Sequence, residues 1–187
     1  MCIRDSFSGD RILCFSYNKR DKKLEDHGIA AHVKPGSGPR HLVFSPNGRY
    51  AYLMNELSGK VIVYSYSDGK LKELQSIAAD NANARGGADI HVSPDGMFVY
   101  TSTRLKGDGI TIFRVGNKGT LTRVGAQLTG KHPRNFAITP NGNFLLVACR
   151  DDNSIQVYSR DKDTGLLKNT HQDIVLSHPV CVKFYPE

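Results

Sequence analysis

The sequence predicts an all-β fold, a β-propeller of four-stranded antiparallel blades. Three observations predict it. A turn motif recurs in one frame, four short segments of period-two alternation follow each copy, and no segment carries a helical stripe. The motif is FSPNG at 44–48, VSPDG at 92–96 and ITPNG at 138–142. Its prolines, Pro46, Pro94 and Pro140, lie 48 and 46 residues apart, and Pro186 follows 46 residues later. Four strands in about 40–50 residues is the period of a propeller blade. Solenoids of this period are mostly helical, and an immunoglobulin-like sandwich would not repeat its turns so regularly.

The strands can be read off in order. In the first unit HLVF leads through SPNG into YAYLMN, and KVIVYSY and LKELQSI follow. The second unit gives IHV, MFVYTST, GITIFRV and LTRVGAQL; the third gives NFAI, NFLLVAC, SIQVYSR and one strand over about 166–175. β-Branched and aromatic residues enrich these runs, and Gly, Asn, Asp and Pro separate them. Ahead of the first unit, DRILCFSYN and LEDHGIAAH match the third and fourth strands of another blade. The closing PVCVKFYPE matches only a first strand. The count is therefore three whole blades and pieces of two more. Propellers close with four to eight blades, so the pattern is that of the C-terminal part of a longer propeller. MCIRDS has no apolar core of a signal peptide and departs from the pattern. Residues 1–6 read as a non-native leader, and 7–187 as a partial propeller domain.

At 187 residues, 39% hydrophobic and 23% charged, the composition excludes a disordered tail. No apolar run approaches the roughly 20 residues of a membrane span. Cys2, Cys14, Cys149 and Cys181 form no C-x-x-C pair, which argues against a zinc site or a disulfide framework and fits a reducing cytoplasm. No metal or other cofactor is expected. The net charge of +7 admits nucleic acid, an anionic membrane or a small anion as partner. The basic residues are scattered singly without an aromatic cluster, which disfavours nucleic acid.

Alignment on the prolines shows where chemistry can gather. Six residues before each stand Arg40, Ala88, Arg134 and Val180; ten residues after the first three stand Glu56, Arg104 and Arg150. In a hairpin, residues before strand one and after strand two emerge at one end. First strands line a propeller's central channel, so these positions collect on one rim with His41, Asp89, Asn135 and Asp151. Guanidinium forks suit carboxylates and phosphates. Glu56 stands where the other blades carry Arg, so a structural consensus does not account for it. Other readings stay open: Arg134 and Arg150 can pair with Asp151 and Asp152, and His41 can cap a strand end. His91, His132 and His178 read as structural.

GPRHLVFSPNGRYAYLMNELSGKVIVYSY, GGADIHVSPDGMFVYTSTR and HPRNFAITPNGNFLLVACRDDNSIQVYSRD resemble the lactonase family of seven-bladed propellers. The family includes bacterial 6-phosphogluconolactonases, with fungal muconate-lactonizing enzymes as relatives. The resemblance runs from about Asp10 to the end, and it makes the chain about half of a propeller. It implies metal-free hydrolysis of 6-phosphogluconolactone to 6-phosphogluconate in the pentose phosphate pathway. The family's functional arginine and glutamate fall on Arg40, Glu56 and Arg104, while a further site histidine lies upstream of this sequence. Glu56 is then the candidate base, Arg104 and Arg40 the oxyanion or phosphate ligands, and His41, Arg134 and Arg150 substrate-binding groups. The alternatives are another sugar-lactone hydrolase, a muconate-type lactonizing enzyme, and a non-catalytic binding platform.

Overall fold

A computed structural model describes residues 8–80, 82 and 85–185, together with the backbone of 2–6. The expected repeat is present as three antiparallel blades in sequence order, the first two four-stranded and the third of five strands. The first blade runs β4 (Pro39–Phe44), β5 (Tyr50–Asn55), β6 (Lys60–Ser67), β7 (Lys70–Ala78). The second runs β8 (Gly87–Val92), β9 (Phe98–Thr103), β10 (Gly109–Val115), β11 (Leu121–Leu128). The third begins with β12 (Pro133–Ile138), β13 (Phe144–Cys149) and β14 (Ser154–Arg160). Ahead of them stand β2 (Arg11–Asn18) and β3 (Lys23–His32). Residues 2–6, set aside as a leader in the sequence, form β1 (Cys2–Ser6), which pairs antiparallel with β2. Among the described residues no helix is long and apolar enough to cross a membrane.

Two segments differ from expectation. The strand foreseen over 166–175 splits into β15 (Leu167–Asn169) and β16 (Ile174–Val175), both paired with β14. His171 takes φ +58°, the left-handed region, which no ladder residue can hold. The closing first strand forms no ladder over 179–185, and Pro186 lies outside the described residues. A strand exists only against a paired neighbour, and among the described residues no strand pairs with it. Val182 N donates instead to Asn135 Oδ1, at 2.6 Å.

The turns repeat atom for atom. In the first blade the Ser45 hydroxyl donates to Asn47 Oδ1 and accepts from Tyr50 N, while Gly48 N donates to Ser45 O. Ser93, Asp95 and Gly96 repeat this, as do Thr139, Asn141 and Gly142. The core lies between blades rather than within them. Ala51 and Leu53 of β5 enter a cluster shared with Ile12 and Cys14 of β2, while Tyr52 and Met54 enter one shared with Val99 and Phe113. Alternate residues of a middle strand face opposite neighbours, so both must be apolar and the run reads as continuous. A third cluster joins Phe98, Tyr100 and Ile110 to Phe136, Leu145 and Val147.

One polar latch crosses from the third blade to the second. Arg160 is fully buried and donates to Tyr100 Oη at 2.8 Å, Gly142 O at 3.0 Å and Asp95 Oδ2 at 2.7 Å. Its replacement by Met should cost about 2–3 kcal/mol, the scale of lost charge-assisted hydrogen bonds. Asp95 still reaches water, which keeps the loss below that of a wholly buried pair. Denaturant midpoints of wild type and Arg160→Met measure it, and a change under about 0.5 kcal/mol would show the latch to be idle.

Candidate active site

The inner strands β4, β8 and β12 each carry a bulge near their start. Register with the second strand shifts between Pro39 and His41, between Gly87 and Ile90, and between Pro133 and Asn135. A bulge re-aims side chains that a regular pleat would send to opposite faces. Consecutive Arg40 and His41 therefore both reach the second blade. Arg40 Nε donates to Ala88 O at 2.8 Å, and His41 Nδ1 lies 2.6 Å from Asp89 Oδ1.

The rim is built in two layers. In the lower one, Glu56 is clasped by two guanidinium groups: Arg40 Nη1 donates to Oε2 at 2.7 Å and Arg104 Nη2 to Oε1 at 2.9 Å. Its backbone is held as firmly. Glu56 N donates to Gly38 O, and Glu56 O accepts from Gly86 N and Gly87 N of the next blade. Gly86 sits at φ +112°, and a Cβ on Gly87 would overlap Met54 and Asn55 O. The missing Cβ of Gly87 is what lets the second blade approach the end of β5.

Arg104 is buried, and behind it stands His132, whose Nε2 lies 3.1 Å from Arg104 Nη1 and whose Nδ1 lies 3.2 Å from Asp151 Oδ2. A guanidinium only donates, so His132 Nε2 accepts and the proton sits on Nδ1, toward Asp151. Burial, then the charge of Arg104, hold the His132 pKa below its usual 6.5. Burial likewise presses the pKa of Arg104 down, Glu56 opposes this, and Arg40 and Arg134 add to it.

The upper layer centres on Asp89, 3% exposed. Its carboxylate accepts from Asn135 Nδ2 and from the backbone N–H groups of Ile90 and Phe136. His41 Nδ1 and His91 Nε2 approach it at 2.6 and 3.1 Å. Burial alone would raise its pKa, but the hydrogen bonds and charges of the two histidines hold it well below the carboxylate range. An ionised Asp89 only accepts, so both histidines donate to it. The layer opens on a cleft of about 530 Å³ lined by Arg40, His41, His91, Arg134 and Lys183.

The candidates from the sequence thus divide. Arg40, His41 and Arg134 line the cleft; Glu56 and Arg104 lie behind it. Arg150 stands apart, 3.6 Å from Asp151 and half exposed. Arg134 has no hydrogen bond or ion pair among the described residues. Asp89 as hub, His91 as its second donor and His132 as support for Arg104 were not legible as such. Alignment on the residue five before each proline would have shown the series His41, Asp89, Asn135, Cys181.

The family model for the seven-bladed β-propeller lactonases matches residues 7–184. The chain belongs to the lactonase family of seven-bladed β-propellers. A curated 6-phosphogluconolactonase of Formosa agariphila is 48% identical over 153 residues, covering 79% of this chain and 43% of the relative. A solved structure of a Bacteroides uniformis protein assigned as a 6-phosphogluconolactonase superposes with a TM-score of 0.94 at 56% identity, over 98% of this chain and 54% of that one. A periplasmic gluconolactonase of Pseudomonas aeruginosa superposes with a TM-score of 0.86 at 31% identity, over 95% of this chain and 51% of that one. The lactonase chain described here spans about half the length of the curated relatives it matches.

The state of His132 gives a pH signature. With its pKa lowered on folding, the unfolded state binds more protons between that lowered value and about 6.5. Stability should therefore rise with pH across this window, be complete above about 6.5, and be lost as pH falls through the folded value. His132→Asn should flatten that part of the profile. Denaturant midpoints at about pH 5 and pH 7.5 test this, and an unchanged slope in the variant would contradict the neutral tautomer.

Proposed function

We propose that this chain supplies the arginine-lined half of a lactone-hydrolysing site whose substrate is 6-phosphogluconolactone and whose product is 6-phosphogluconate, within the pentose phosphate pathway. The observation that carries the reading is the distribution of charge at the cleft. Arg40 is matched by Glu56 and Asp89 is engaged by His41 and His91, whereas Arg134 and Lys183 line the same cleft with no ion pair among the described residues. Unmatched cations in a cleft call for an anion, and a phosphate on the sugar supplies one. The names of the Formosa and Bacteroides relatives support the same substrate. The thiols of Cys14, Cys149 and Cys181, which form no disulfide, support a reducing compartment such as the cytoplasm.

The geometry also bears on the role of Glu56. Both its oxygens accept from guanidinium groups, so we assign it to holding Arg40 and Arg104 in place rather than to taking a proton. Arg40, which lines the cleft, then stabilises charge growing on the lactone carbonyl oxygen, with Arg104 holding Glu56 from behind. Glu56→Gln should lower kcat/KM by about 10²-fold through misplaced guanidinium groups, read by steady-state kinetics. Unchanged turnover would remove Glu56 from the site.

A second reading keeps the chemistry and drops the phosphate, favoured by the gluconolactonase name of the Pseudomonas relative. One experiment separates the two. Hydrolysis of 6-phosphogluconolactone and of unphosphorylated gluconolactone is measured on the chain as it stands. It is then measured on a propeller completed with the part of the Formosa relative that the chain does not match. Preference for the phosphorylated lactone by about tenfold or more is expected, with Arg134→Gln raising KM for that substrate alone. Equal rates on both lactones would favour the second reading.

A further inference from the structure

The residue five before each turn proline does one job in every blade: it ties its inner strand to the next. His41 reaches Asp89, Asn135 reaches Asp89 from the other side, and Val182 N reaches Asn135 from the closing segment. An amide performs this task at Asn135, so the tie does not require an imidazole. An imidazole at the same position adds one thing an amide lacks, a basic lone pair on the far nitrogen. The side chain of His41 is 42% exposed, it lines the cleft, and its Nε2 has no hydrogen-bond partner among the described residues.

The tautomer follows from its neighbours. Asp89 is saturated with donors that cannot accept, including two backbone N–H groups, so His41 must present its proton on Nδ1. In the neutral imidazole Nε2 then carries the lone pair, free to act at the cleft. The arrangement of a buried carboxylate, an imidazole and a free far nitrogen is that of an oriented general base.

We propose that His41, oriented by Asp89, is the general base for lactone hydrolysis at this cleft, an inference that rests on the function proposed above. His41 Nε2 takes a proton from water as the water oxygen bonds to the lactone carbonyl carbon, and the carbonyl π pair moves onto oxygen. When the carbonyl re-forms, the ring C–O bond breaks, and the departing alkoxide takes the proton from Nε2. One water and one lactone give one hydroxy acid, which releases its carboxyl proton to solvent. Arg40, held by Glu56, lines the cleft and is placed to stabilise the intermediate oxyanion. Asp89 acts through His41 and is a positioning residue. The charged and titratable groups facing His41 are Arg40 on its own strand, Asp89 and His91 on β8, Arg134 on β12, and Cys181 and Lys183 on the closing segment.

The test uses the completed propeller of the lactone assay, with two readouts. His41→Gln should lower kcat by about 10²-fold or more with KM within about threefold, and imidazole should restore turnover to His41→Gly. A variant that loses thermal stability but keeps kcat would overturn the proposal and leave His41 as a tie between blades. The second readout does not need activity. Nitrogen-15 NMR of the 187-residue chain at about pH 8 should show His41 protonated on Nδ1 alone. The opposite tautomer would overturn the dyad whatever the kinetics. If the wild-type protein hydrolyses no lactone while the tautomer is as stated, the functional reading fails and His41 has no such reaction to serve. If lactone is hydrolysed and His41→Gln is unaffected, the dyad alone fails.

Discussion

The carboxylate of Asp89 is the interaction on which the arrangement of the blades depends. Placing a carboxylate at 3% exposure costs several kcal/mol in lost hydration. It is tolerated only because His41, His91, Asn135 and the N–H groups of Ile90 and Phe136 converge on it. These donors come from β4, β8 and β12, the inner strands of three successive blades. The apolar clusters between blades supply most of the adhesion, but apolar contact has no direction and would accept several relative rotations. A hub of directed hydrogen bonds accepts one.

With that phase set, the arginine layer follows. Arg40 can meet Ala88 O and Glu56 together only when the second blade stands at the right rotation, and Arg104 can meet Glu56 and His132 only when the third does. Gly87 serves the same end by lacking the Cβ that would overlap Met54 and Asn55 O of the first blade. Positive charge is thereby concentrated where carboxylates do not fully neutralise it. Arg134 and Lys183 are left facing the cleft, while Arg150 is spent on Asp151 at the margin. The overall charge of +7 would not have shown which cations converge.

The parts of the fold legible in the sequence were those set by local chemistry. The Ser/Thr-Pro-Asn/Asp-Gly turn fixes itself through one hydroxyl and one side-chain oxygen, so three copies in frame located three hairpins and with them the common end where Arg40, Glu56 and Arg104 meet. The hub escaped because strand reading assumes strict alternation. On that assumption Arg40 and His41 face opposite ways, and so do Ala88 and Asp89. The bulges break the alternation at these positions, and His132 at φ +59° breaks it again beside Arg104. The split of the third blade's outer strand and the missing ladder at 179–185 have a related origin. Whether a β-prone run becomes a strand depends on a neighbour that its own residues do not encode.

The sequence by itself determined the blade, its repeat, its apolar middle strands and the family, because turn chemistry and period-two burial act over a few residues. Only the tertiary structure decided that Glu56 is shared by two arginines, that His132 is neutral, and that His41 turns one nitrogen to Asp89 and the other to the cleft. Each of those depends on atoms about 16 to 48 residues apart being brought within 2.6 to 3.2 Å. A hydrogen bond assigns its proton only once both partners are in place, and the packing of one blade against the next puts them there.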